Sequence, residues 1–311
     1  MKVSRIFLAA CLTAALCTGL AAHEPPGVTY FAFGFPAHAV PVIDGDLSDW
    51  DMVPESYHID LGEDFWETVR GIGTDLDFSD FNAKCIVGWN EETNRIYSMS
   101  DVVDDFLHNK RETPSGHNWD DDINFVVDAD HSGGEAFEGG HSALHELSDH
   151  ERLQIEYAYM QLYTALVPPI DGWWLFMYHH DTEFPWLTDG KTTPSPEYLE
   201  AGWSRTGESD GPGTYTYEFK VTPWEFLDYQ GPEGSTIVDL ELGNIIHIGY
   251  LFKDYDTDDS YEGSYDFPPV HDVWKNASLA ADFELAPVEM GLFPTAVETD
   301  SWGRIKSEFV K

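Results

Sequence analysis

Apolar and polar positions alternate with a period of two in many short runs along this chain, and most runs end in Gly, Pro, Asp or Asn. In Thr214 to Val221, Tyr215, Tyr217, Phe219 and Val221 fall on one side, the pattern of a half-buried strand. Ala83 to Trp89 and Arg95 to Val103 flank Asn90-Glu91-Glu92-Thr93-Asn94 and predict a hairpin. Ile123 to Val127, Leu153 to Val167, Trp173 to Tyr178, Asn244 to Phe252 and Leu279 to Leu285 predict further strands. Helical signals are few. His141 to Gln154 and Trp302 to Val310 predict helices, and Pro223-Trp224-Glu225-Phe226-Leu227 predicts one helical turn opening on a proline. Many short strands separated by turn residues predict an all-β fold, an immunoglobulin-like or jelly-roll-type β-sandwich of antiparallel strands with a few short helices.

The pattern also divides the chain. Met1 to Ala22 reads as a secretory signal: Lys2 and Arg5 make a basic start, Ile6 to Leu16 an apolar centre, and Gly19-Leu20-Ala21-Ala22 a small-residue end, with cleavage near Ala21 or Ala22. Leu8-Ala9-Ala10-Cys11 fits a lipoprotein box, but its apolar region is very short, so lipid anchoring is not expected. Other stretches are too short or too polar to span a bilayer. The expected product is periplasmic or extracellular. Residues 23–40 read as a leader, 41–286 as the domain, and 287–311 as a linker and short tail whose Arg304, Lys306 and Lys311 form a basic cluster.

Composition narrows the partners. The 311 residues carry a formal net charge of −41, and loss of Lys2 and Arg5 with the signal deepens it. This charge argues against DNA, RNA and anionic lipid as partners, because each is itself a polyanion. High apolar and aromatic content distinguishes this from a disordered acidic tail. Cys11 and Cys17 leave with the signal, so Cys85 remains as a single thiol in an apolar run, and the fold must stand without disulfides.

Several landmarks follow one another in order: Ile43-Asp44-Gly45-Asp46-Leu47-Ser48-Asp49-Trp50, the hairpin ending in Asp101-Val102-Val103-Asp104-Asp105, Asn118-Trp119-Asp120-Asp121-Asp122, Asp128-Ala129-Asp130, the run Ile248 to Asp256, and Trp274-Lys275-Asn276-Ala277-Ser278 before a final strand. In this order and spacing the chain resembles the family 9 carbohydrate-binding modules and their DOMON-like relatives over about residues 41–286. The resemblance implies a β-sandwich that holds the end of an oligo- or polysaccharide between two indoles, at positions matched by Trp119 and Trp274. Asn124 falls near a family acidic position and His271 where a family amide is found. An arginine expected on a middle strand has no counterpart in Leu153 to Leu162. The chemistry is sensible on its own terms: a pyranose has apolar C–H faces that pack on aromatic rings and a rim of hydroxyls that need hydrogen bonds. DOMON-like relatives also include haem-binding electron-transfer subunits. That alternative would need axial ligands such as Met160 or Met177, which no spacing singles out.

Asp128-Ala129-Asp130-His131-Ser132-Gly133 begins like a calcium loop, but Gly139 stands where an EF-hand needs an acid. A looser Ca²⁺ site on Asp128, Asp130 and Glu135 is the main metal expectation; Asp254-Tyr255-Asp256-Thr257-Asp258-Asp259-Ser260 has the same character, and both also fit a solvated turn. His141 to His150 misses the zincin pattern because Asp149 stands where the second histidine is needed. Glycan cleavage would need two carboxylates facing each other across the scissile bond, and among 57 acidic residues no pair stands out. No catalytic residue is assigned.

Overall fold

A computed structural model describes residues 23–110, 120–136, 148, 158–170, 173–177, 186–187, 197–207, 210–257 and 260–292. The helices expected at His141–Gln154 and Trp302–Val310 lie outside these residues, Ser148 apart, as does Trp119.

The alternating runs form strands: β1 (Thr29–Gly34), β2 (His58–Asp60), β3 (Trp66–Glu67), β4 (Phe81–Asn90), β5 (Arg95–Asp104), β6 (Asp122–Asp128), β7 (Gln161–Ile170), β8 (Trp173–Met177), β9 (Leu199–Gly207), β10 (Gly213–Val221), β11 (Trp224–Phe226), β12 (Thr236–Ile237), β13 (Ile245–Thr257), β14 (Ser260–Phe267) and β15 (Ala281–Val288). Thirteen of them make one sheet in the order β8-β7-β6-β13-β15-β1-β4-β5-β10-β9, with β14 on β13, β3 on β14 and β2 on β4. The two halves face each other. Phe125 of β6 stacks on Phe219 of β10 with centroids 5.5 Å apart, and the hydroxyls of Tyr250 (β13) and Ser98 (β5) share a buried hydrogen bond of 2.7 Å. The result is an all-β sandwich whose core is built from the inward faces of both halves.

The all-antiparallel expectation needs one correction. β1 runs parallel to β15 on one side and to β4 on the other, so it joins the two halves and makes the sheet mixed. β1 lies inside the segment read as a leader. A second correction concerns Pro223–Leu227. Instead of a helical turn it holds β11, because its carbonyl and amide groups are taken by partners distant in the chain: Val238 N–H donates to Pro223 O at 2.8 Å, and Leu227 N–H donates to Ala158 O at 2.7 Å. The sequence pattern did not mark β9 and β14, whose polar residues obscure the alternation.

The Asp44-Gly45-Asp46 turn is held by Glu218 of β10. Its carboxylate accepts from Gly45 N–H at 2.6 Å, from Asp44 N–H at 3.1 Å and from Trp50 Nε1–H at 2.8 Å. Gly45 has φ +87° and lies against Trp203 backbone, where a Cβ would come within 2.3 Å. The turn and its tryptophan therefore lock onto the sandwich and are structural.

Candidate functional site

The register of β13 determines which side chains share its outer face. Tyr250 pairs with Phe125 and Phe267, which point into the core; Leu251 pairs with Asn124 and Asp266, and Lys253 with Asp122 and Ser264. Asn124 in turn lies opposite Thr164 of β7. Opposed residues of a ladder share a face, so Thr164, Asn124, Asp122, Lys253, Ser264 and Asp266 form one polar row across four strands, buried except at Lys253.

These groups are hydrogen-bonded to one another. Lys253 Nζ donates to Asp122 Oδ2 at 2.8 Å, Asn124 Nδ2 donates to Asp122 Oδ1 at 2.8 Å, and Thr164 Oγ1 donates to Asn124 Oδ1 at 2.6 Å. Asp122 and Asn124 are buried, while the Lys253 side chain keeps 18% of its surface exposed. Burial raises the Asp122 carboxyl, and Lys253 opposes that shift. Tyr255 and Tyr261 extend the surface, with ring centroids 4.9 Å apart. Burial, then Asp122, pushes the Tyr255 phenol up to about 12, so it is a neutral hydroxyl donor at physiological pH.

A 3-10 turn, His271–Lys275, packs against this part of the sheet. Gly249 makes the approach possible, since a Cβ there would lie 2.8 Å from Val273 Cγ2. The turn carries two of the expected residues. His271, with 43% of its side chain exposed, places Nδ1 3.1 Å from Asp266 Oδ2. Trp274 is partly buried against the core, with Lys275 Nζ 5.2 Å from its ring centroid. Trp274, His271 and Asn124 are therefore placed on or beside one face, and the fourth expected residue, Trp119, lies outside the described residues. Asp122, Thr164, Lys253 and Asp266 were not anticipated. Their signal was a polar residue breaking an apolar run, as Lys253 does after Phe252.

Of the residues expected to hold calcium, Asp128 accepts from Gly133 N–H at 2.8 Å and also contacts His247 at 2.7 Å. Asp130 accepts from Ser132 N–H at 3.2 Å, and Glu135 is bridged to Asn276 through the backbone. Among the described residues, three other groups converge tightly enough to hold a cation: Asp104, Asp121 and Asp254; Asp80, Asp105 and Asp256; and His23, His131, His247 and Asp282. The first group is buried at one end of the core. Burial, then neighbouring carboxylates, raises Asp254 to about 9 and Asp121 well above its ordinary range. A separate groove of about 800 Å³, lined by Phe35, Trp89, Glu91 and Leu242 among others, lies elsewhere on the surface.

The fold and this surface define an all-β sandwich with a polar face edged by an aromatic turn. A family 9 carbohydrate-binding module from Caldicellulosiruptor kristjanssonii in complex with cellotriose shares that fold. It has 14% sequence identity and a TM-score of 0.50, over 86% of this chain and 98% of that one. The same organism's module in complex with glucose gives 14% identity and a TM-score of 0.46, over 84% and 96%. No family model and no curated protein matches the sequence. At this identity the likeness is one of fold: the chain has the architecture of a family 9 carbohydrate-binding module.

Proposed function

We propose that this is an exported, non-catalytic carbohydrate-binding protein that packs the end of a glycan against Trp274, with Trp119 as the second ring. The observation that carries the reading is the row of hydrogen-bonding side chains from Thr164 through Asn124, Asp122 and Lys253, with an indole on the adjoining turn. At the exposed edge of this buried row, Lys253 and His271 offer polar groups to a hydroxyl rim, and Trp274 offers an apolar plane to a sugar face. Lys253 supplies, from β13, the cation that the family resemblance leads one to look for in residues 153–162.

Cellotriose and glucose, which the compared modules hold, are the first ligands to try within a panel of soluble oligosaccharides. Titration followed by tryptophan fluorescence should saturate for the wild type. Trp274→Ala and Trp119→Ala should each weaken binding at least about tenfold, the loss of one stacking partner. Asn124→Ala and Lys253→Met should weaken it by a similar factor through lost hydrogen bonds. A folded wild type that responds to no sugar in the panel overturns the reading.

A further inference from the structure

A second cluster sits on the same outer face, at the far end of β13. His247 of β13 lies opposite Asp128 of β6 and Asp282 of β15. Two loops bring His23 and His131 over this row. His23 Nδ1 lies 2.7 Å from His247 Nε2 and 3.0 Å from Asp282 Oδ1. His131 Nε2 lies 3.0 Å and His247 Nε2 3.3 Å from the same oxygen. The rings crowd together, with centroids 4.1 to 4.8 Å apart.

We propose that His23, His131, His247 and Asp282 bind a divalent transition-metal ion of the zinc or copper class. Three imidazole nitrogens and one carboxylate oxygen suit such ions and not calcium or magnesium, which take oxygen ligands. In a tetrahedral zinc site with bonds near 2.0–2.1 Å, ligand atoms stand about 3.3 Å apart; the four separations above are 2.7 to 3.3 Å, and all four atoms lie within 4.8 Å of one another. Hydrogen bonding alone accounts for the cluster less well, because several ring nitrogens and one carboxylate oxygen crowd a single point.

The surroundings orient the ligands. Asp128 Oδ2 lies 2.7 Å from His247 Nδ1, and both side chains are fully buried. With the proton on Nδ1, the Nε2 lone pair points at the cluster, the carboxylate–histidine pairing that fixes a metal-bound imidazole. Gly133 N–H holds the same Asp128 oxygen at 2.8 Å. His131 has φ +58°, a left-handed conformation that a non-glycine residue rarely adopts and that turns its ring inward. The side chains of His23, His131 and Asp282 keep 24%, 31% and 16% of their surface exposed, so an ion can enter from solvent. If the export signal is cut after Ala22, the His23 α-amine becomes a further nitrogen able to close a six-membered chelate ring with Nδ1.

The test uses the chelator-stripped protein and Zn²⁺, Cu²⁺ or Co²⁺ alone, followed by calorimetry, metal analysis after dialysis and the visible spectrum of bound Co²⁺. The expected result is one tight ion per chain and a spectrum of nitrogen and oxygen ligation, with Ca²⁺ unable to compete. His131→Ala should lower affinity at least about a hundredfold, and Asp128→Asn about tenfold, because Asp128 orients the His247 ring. His271→Ala, outside the cluster, should leave affinity unchanged. If His247→Ala fails to fold, His131→Ala carries the test, because its ring is partly exposed. A folded wild type that binds none of the three ions overturns the proposal, as does multiple weak binding that His131→Ala leaves unchanged.

Discussion

Asp254 shows what a single buried carboxyl does to the molecule. It points into the end of the core beside Asp104 and Asp121, and its Oδ2 is buried with no hydrogen-bond partner among the described residues. Burial, then Asp104, raises it to about 9, while burial raises Asp104 itself to about 6. A carboxyl raised above its unfolded value near 4 keeps its proton in the native state after the unfolded chain has released its own. The stability it confers is thus complete below about pH 4, declines as pH rises, and is lost above about pH 9. Urea unfolding in the presence of chelator should show stability falling between pH 5 and pH 9 by on the order of 1 kcal/mol or more. Asp254→Asn should flatten that slope; a slope identical to wild type would remove the triad as its source. The sequence from Asp254 to Ser260 reads as a solvated acidic turn, and the burial of Asp254 follows from the inner face of β13, which only the pairing reveals.

At the scale of elements, the His271–Lys275 turn depends on one small residue beneath it. Gly249 leaves room for Val273, and an added Cβ would lie 2.8 Å from Val273 Cγ2. Gly249→Ala should lift the turn and displace Trp274 and His271 while leaving the polar row in place. Sugar affinity should fall about three- to tenfold, and the free energy of unfolding should drop by about 1 kcal/mol or more, the usual penalty for overpacking. Equal affinity in the variant would mean the turn plays no part in binding. The strands themselves were legible: the apolar stripe Tyr215, Tyr217, Phe219 and Val221 predicts β10, and the Asn90–Asn94 turn predicts the β4–β5 hairpin. β14 was not, because Glu262, Gly263, Ser264 and Asp266 give it the composition of a loop. Its strand character comes from the edge that β13 offers it, which is tertiary context overriding propensity.

For the whole molecule, a net charge of −41 means that folding gathers many like charges against their mutual repulsion. Raising ionic strength from about 0.02 M to about 0.5 M shortens the screening length severalfold and should raise the melting temperature by several degrees. A fall would show that attractive ion pairs such as Lys253–Asp122 outweigh the repulsion. The tryptophan landmarks made the fold legible at this scale. The His23, His131 and His247 cluster was not, since its members lie far apart in sequence and meet through the register of β13, β15 and β6. β1 carries a last consequence. It lies parallel to β15, so its first residue and the last residue of β15 stand at opposite ends of the pair. A load applied between those two points pulls along the strands and strains all their hydrogen bonds together instead of opening them one by one. The β1–β15 pair is thereby built to resist tension applied between those two residues.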